Sequence, residues 1–284
     1  MKNIIIPDQN KFDSKLKAIV AAGKDKLHVR MDFDGTVTEA IVGGKTVPSL
    51  TSILRDEDIL GKDYSLKARA LYDKYHAIEI DPEIAKADKK NAMHEWWSTH
   101  FELMIKSGLG KKHIEQVLLS SRIRLRKGFK EFAQTLAANN IPLVIMSSDG
   151  LGAATILLVL ENNKIPPVNI HIVSNQFEWD SRGRVIKVKE PIIHTLNKNE
   201  ETIRRVPAAY ETIKDRPNVL LLGDSVADIT MVEGARILNL LSLGFLNKDS
   251  EKQRAAFRQT FDAIILNDGP MDFANLILAQ IVNI

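Results

Sequence analysis

The chain has 284 residues, 44% of them apolar and 26% charged, with a formal net charge of +3 and no cysteine. Such a length buries a substantial core as one large or two moderate domains, and the charge is too small to argue for nucleic acid as a partner. Disulfides, thiolate catalysis and Cys-ligated zinc are excluded, and no segment reaches the roughly 20 apolar residues of a membrane span. The opening "MKNIIIPDQNKFD" has too short an apolar run for a signal peptide. The expectation is a soluble, cytoplasmic protein with no membrane partner.

In chain order, "KFDSKLKAIVAAG" (11–23) has helical spacing and a glycine stop. "KLHVRMDF" (26–33) reads as a buried strand. From about 48 to 125 helical patterns continue with no convincing strand, which predicts an inserted helical lid. The basic run "RIRLRKGFK" (122–130) reads as a solvated face near the lid hinge. Beyond it, strands over 141–148, 168–175, 218–224 and 261–268 alternate with helices over 128–138, 150–162, 225–234 and 270–282. "FEWDSRGRVIKVK" (177–189) alternates around a turn and predicts a β-hairpin. Alternation of this kind predicts an α/β fold with a parallel sheet covered on both faces. The domains expected are a core of residues 1–47 and 126–284 and a cap of 48–125. Ligands of such sheets sit beyond the carboxyl ends of the strands.

Four features fall at those ends. Asp32 and Asp34 in "DFDGTVT" are alternate residues of an extended chain, so their carboxyls converge. Ser147 and Ser148 in "VIMSSDG" end a strand that runs into a helix, a suitable anion cradle. A lysine follows the hairpin in "IIHTLNKNE"; Lys198 is the candidate, with Lys187 and Lys189 as alternatives. "LLLGDSVAD" places Asp224 at a strand end and Asp228 one turn on, where Ser225 to Asp228 also fits a capping box. Clustered carboxylates repel unless a cation lies between them, and all-oxygen donors favour a hard ion such as Mg²⁺. Together these residues describe a phosphoryl-transfer site.

The four motifs, in this order and each after a strand, resemble the haloacid dehalogenase (HAD) superfamily of Mg²⁺-dependent phosphatases. "LYDKYHAIEIDP", "HEWWSTH", "IIHTLNKNE", "VLLLGDSVADITMVEG" and "LSLGFLNKDSEKQ" are further similar to the cytosolic 5′-nucleotidase III family, also called pyrimidine 5′-nucleotidase. The resemblance implies a HAD-like Rossmannoid core with a helical cap. It also implies Mg²⁺-dependent hydrolysis of nucleoside 5′-monophosphates, pyrimidine ones first, through an aspartyl-phosphate. On that basis Asp32 is the nucleophile, Asp34 the general acid and base, and Lys198 the residue that offsets phosphate charge. Asp32, Asp34 and Asp224 would bind the metal directly, with Asp228 behind them. Ser147 and Ser148 would hold phosphate, and Glu79, Trp96 and His100 would meet the base. Trp96 and Trp97 are adjacent, so at least one is expected in the cap core. The chain departs from the family at "SSDG", at His100 and at Thr51. The alternatives are a phosphatase for another small phosphomonoester and a non-catalytic nucleotide-binding protein. A monomer or weak dimer is expected.

Overall fold

A computed structural model describes residues 3–81, 83–120 and 122–283. The chain opens with β1 (Ile4–Ile5), α1 (Gln9–Ala22) and β2 (Leu27–Asp32), then a small hairpin of β3 (Ile41–Val42) and β4 (Lys45–Thr46). Four helices follow without a strand: α2 (Leu50–Asp56), α3 (Lys62–Ile80), α4 (Lys86–Lys106) and α5 (Lys111–Ser120). Alternation resumes with α6 (Phe129–Ala138), β5 (Leu143–Met146), α7 (Gly152–Asn162) and β6 (Ile170–Val173). A second hairpin, β7 (Gln176–Trp179) and β8 (Val185–Lys189), leads into α8 (Glu200–Arg204) and α9 (Pro207–Ile213). The chain then runs through β9 (Asn218–Gly223), β10 (Asn239–Leu246), α10 (Glu251–Thr260), β11 (Ala263–Leu266) and α11 (Asp272–Val282). Among the described residues no helix is long and apolar enough to cross a membrane.

The seven-stranded sheet has the order β1-β11-β10-β9-β2-β5-β6, parallel throughout except for β1, which runs antiparallel to β11. Because side chains alternate along a strand, each central strand feeds two cores. Val29, Leu143, Leu220 and Leu243 pack with α1, α6 and α11 on one face. Val144, Val219 and Leu221 pack with Ile203, Ala209 and Ile213 of α8 and α9 on the other. Each such fully buried aliphatic side chain contributes roughly 1.5–3 kcal/mol. On that second face β2 offers no apolar residue; it presents His28, Arg30 and Asp32, all buried.

Two strands were not legible in the hydrophobic pattern. β10 is interrupted by Ser242 and by Gly244, where an added Cβ would strike the rings of Phe257 and Phe261. β1 is a two-residue edge strand. The stretch 226–232 is a short, tightly wound helical turn rather than a regular α-helix. Helices α2 to α5 share a core with the β7–β8 hairpin: Leu54, Tyr64, Phe101 and Met104 pack with Phe177 and Val185. The insert is thus seated over the carboxyl end of the sheet by its own hydrophobic cluster.

Candidate active site

Strand register brings the acids together. Asp32 ends β2 opposite Met146 of β5, so Ser147 lies beside it; Met31 pairs with Leu222 of β9, so Gly223 and Asp224 flank it on the other side. Carboxylate oxygens of Asp32, Asp224 and Asp228 lie within 4.8 Å of one another. Lys198, 5% exposed, is the lysine that reaches them; Lys187 and Lys189 are exposed on the hairpin. Its Nζ donates to Asp32 Oδ1 and, at 3.0 Å, to Asp228 Oδ1. The other Asp228 oxygen accepts from the backbone N–H groups of Asp224 (3.1 Å) and Ser225 (3.0 Å), completing the capping box. Asp228 therefore caps a helical turn and anchors the lysine at once.

The loop after Asp32 approaches this cluster closely. Gly35 has φ of 69°, and a Cβ there would run into the Asp224 carboxylate and the Asn247 amide. Asn247 Nδ2 donates to Gly35 O (2.9 Å) and to Asp224 Oδ2 (3.1 Å), fixing the carboxylate against the loop. Arg126 holds the loop from beneath. Its guanidinium donates to the carbonyls of Gly35, Thr36 (2.8 Å) and Thr38 (3.2 Å), to Gly269 O (2.7 Å) and to Asn247 Oδ1 (3.1 Å). It also pairs with Asp268 at 2.9 Å. This corrects the sequence expectation for 122–130: Arg122, Arg124 and Lys127 are exposed, but Arg126 is 2% exposed and serves as a strut. Burial is tolerable because five acceptors and a carboxylate satisfy the fork. Neither Arg126 nor Asn247 carries a motif signal; only the spacing of a charge run and an unremarkable "LN" mark them.

The electrostatics suit a cation among these acids. Burial raises the Asp32 carboxyl, Lys198 pulls it back and Asp228 adds to the rise, leaving it at about 6. Burial, with the charges of Asp32 and Asp228, pushes Asp224 up to about 8. Asp34, partly buried, stands well above the usual carboxylate range through desolvation and the charges of Asp149, Asp32 and Asp224. Burial works against the Lys198 charge, yet Asp228 and Asp32 outweigh it and raise that group. One ammonium among three converging carboxylates leaves excess negative charge on oxygen donors, the donor set of a hard divalent cation.

The Ser147 loop is tied to the cap. Ser147, 1% exposed, accepts from the N–H of Asp149 at 3.1 Å, while Ser148 is half-buried. Asp149 accepts from Leu151 N–H (2.7 Å) and more loosely from the Thr51 N–H and hydroxyl (3.4 and 3.3 Å). The Thr51 hydroxyl in turn accepts from Gly150 N–H at 3.0 Å. Of the cap residues, Glu79 accepts from Thr195 Oγ1 at 2.8 Å, three residues before Lys198. Trp96 stacks between Tyr75 and Trp97 (ring centroids 6.0 and 5.6 Å), and Trp97 continues to His100 at 5.7 Å. Trp96 is the more buried, at 8% exposed, and lies in a cap cluster with Tyr75 and Met93; Trp97 abuts Gly150 of the serine loop. His100 is 3% exposed, its Nε2 3.0 Å from Tyr64 Oη. Burial lowers the His100 ring to about 4, so it is neutral at physiological pH. A cavity of about 700 Å³ lies to one side between α4 and residues 190–205, and its lining includes none of Asp32, Asp34, Asp224 and Asp228.

A phosphoserine phosphohydrolase-like protein from Francisella tularensis subsp. tularensis SCHU S4 superposes with a TM-score of 0.52 at 16% identity, over 88% of this chain and 99% of that one. A crystal structure of cytosolic 5′-nucleotidase IIIB bound to cytidine superposes with a TM-score of 0.87 at 26% identity, over 99% of this chain and 94% of that one. The fold is that of the HAD phosphatases, a class of phosphoric monoester hydrolases. The family model described as pyrimidine 5′-nucleotidase (UMPH-1) matches residues 35–282, and the chain belongs to that family. It is 35% identical over 266 residues to the 7-methylguanosine phosphate-specific 5′-nucleotidase of Homo sapiens, covering 93% of this chain and 88% of the relative.

Proposed function

We propose that the chain hydrolyses nucleoside 5′-monophosphates to nucleoside and phosphate, using Mg²⁺ and a phosphoryl-aspartate formed on Asp32. The observation that carries this reading is Lys198 bridging Asp32 and Asp228 inside a cluster whose oxygens lie within 4.8 Å. At neutral pH Asp32, near 6, is mostly ionised and needs no base to become a nucleophile. Its attack on phosphorus opens the bond to the leaving nucleoside oxygen. Asp34, held well above the ordinary range, keeps the proton that this oxygen requires. Having given it up, Asp34 accepts a proton from the water that cleaves the acyl phosphate. Lys198 offsets charge on the phosphoryl oxygens throughout. Ser147, Ser148 and the N–H groups after them are assigned to phosphate. Held by the Asp32 and Asp224 carboxylates and the Asp34 carbonyl, with Asp228 behind, Mg²⁺ would neutralise the phosphoryl charge and draw nucleophile and substrate together.

Residues 48–125 act in this reading as a cap that selects the leaving group, with 1–47 and 126–284 as the core. Glu79, Trp96 and His100 are assigned to the base. A pyrimidine monophosphate is the first reading, supported by the family model and the cytidine-bound relative. A second, 7-methylguanosine monophosphate, is favoured by the name of the curated relatives. A cationic base suits both the Glu79 carboxylate and aromatic faces. Phosphate release from CMP, UMP, AMP, GMP and 7-methyl-GMP, with Mg²⁺ and with a chelator, tests the proposal. Turnover of CMP or 7-methyl-GMP should stop on chelation; turnover confined to non-nucleotide phosphomonoesters would overturn the substrate class.

A further inference from the structure

A second cavity, of about 380 Å³, lies toward the amino-terminal ends of β2, β9 and β10, away from the acids. That volume is at the low end of the ~300–1,000 Å³ typical of small-ligand pockets. Its rim carries Arg204, Lys214, Arg216 and Arg236 against Asp215. Lys214 is paired with Glu211. Arg236 is exposed and has no hydrogen-bond or ion-pair partner among the described residues. Arg216 is tethered by Nη1 to the carbonyls of Lys24 (3.2 Å) and Leu27 (3.0 Å), and the other donors of its fork have no partner among the described residues. Tyr210 supplies an aromatic wall, with the Arg204 guanidinium 5.6 Å from its ring. Guanidinium forks around a concavity match a phosphate.

The floor of this cavity connects to the reaction site. His28 and Arg30 share the β2 face that carries Asp32. A neutral His28 ring donates from Nδ1 to Arg216 O (2.7 Å) and accepts at Nε2 from Arg30 Nε (2.9 Å). Arg30 also donates to Met231 O (2.6 Å) and to Glu200 Oε2 (2.7 Å). The other Glu200 oxygen faces Arg204 Nε at 3.6 Å. Glu200 opens α8, two residues after Lys198, and the Lys198 carbonyl accepts from Thr230 Oγ1 at 3.3 Å. A buried Arg–carboxylate pair contributes little net stability over apolar packing, so its place between rim and lysine points to connection.

We propose that this cavity binds a phosphate-bearing anion, and that the Arg204–Glu200–Arg30 chain transmits its presence to Lys198. The source is either free inorganic phosphate or the phosphate of a nucleotide. The test is calorimetric titration of the whole protein with inorganic phosphate and, separately, with CMP in the presence of a chelator. The wild type should bind at least one of them at a site that R204S/R236S weakens about tenfold or more, as for loss of charge-assisted hydrogen bonds. R236S alone, at an exposed and unpartnered position, should weaken it in the same direction with an unchanged melting temperature. In steady state, the occupying anion should lower kcat as well as raise KM for the wild type, and the double variant should retain only the KM effect. Binding of neither anion, or binding indifferent to both variants, would overturn the site. Purely competitive inhibition in wild type and variant alike would overturn the connection. Binding needs no turnover, so its failure is distinguishable from failure of the proposed hydrolysis.

Discussion

The two walls of the cleft are held by different means. On the sheet side the acids are cross-tied: Asp228 accepts from one lysine and two backbone N–H groups, Asp32 from the same lysine, and Asp224 from Asn247, which joins it to the loop that Arg126 clamps. On the cap side Trp96 and His100 rest on stacked rings, Glu79 reaches across the cleft by one hydrogen bond to Thr195, and Thr51 meets the serine loop through Asp149 and Gly150. In the proposed reading, chemistry that must be geometrically exact sits on cross-tied strand ends, and selection sits on an insert held mainly by ring packing.

The contrast is broken most severely by Asp32→Asn, which should lower kcat roughly 10⁴-fold or more, as for loss of a covalent nucleophile, with substrate binding retained. Single-turnover kinetics with a direct binding measurement checks it. Next comes Gly35→Ala: it adds ~1–2 kcal/mol of left-handed backbone strain and drives a methyl into the Asp224 carboxylate and Asn247. Activity should fall about 100-fold, the scale of a small misplacement of reacting groups, with a lower melting temperature. Asn247→Ala frees Asp224 to rotate and should weaken Mg²⁺ binding about 10–100-fold, read from metal titration of activity. On the cap, Glu79→Ala should change discrimination among bases by about tenfold while leaving an aryl phosphate nearly unaffected; equal losses on both would contradict a role in base recognition.

The smallest effect is on stability. Asp32, Asp34 and Asp224 bind protons more tightly folded than unfolded, so the folded state takes up protons and loses stability as pH rises. The window runs from the ordinary carboxyl value of 3.8 through about 6 for Asp32 to about 8 for Asp224. Buried His28 and His100, lowered to about 3 and 4, oppose this slope below pH 6.5, so metal-free melting temperatures should decline from pH 6.5 to 8, and added Mg²⁺ should restore them most at the upper end. A metal-free curve rising between pH 6.5 and 8 would mean that the protein alone satisfies these carboxylates.

Much of the sheet side was legible in sequence because its signals are local. Apolar runs ending in Asp32, Ser147 and Asp224 announce buried parallel strands and what lies at their tips, and the "DSVAD" spacing announces a capped turn. Arg126 was not, since a run of alternating basic residues reads as a solvated face unless one knows that loop carbonyls converge on it. Asn247 follows a strand whose apolar pattern is broken by Gly244, and its partners, Gly35 and Asp224, are distant in sequence. The ring stack was half legible: adjacent tryptophans diverge on a helix, yet their rings approach to 5.6 Å because Trp96 leans on Tyr75 and Trp97 on His100. Such packing is a property of two helices together, which one-dimensional spacing does not carry.

The most direct measurement is rapid quenching during turnover of CMP or 7-methyl-GMP, with borohydride reduction of any acyl phosphate and mass spectrometry of the peptide containing Asp32. Conversion of Asp32 to homoserine in the wild type, absent from Asp32→Asn, is the expected result. Full turnover with Asp32 never modified would contradict a phosphoryl group passing through that carboxylate.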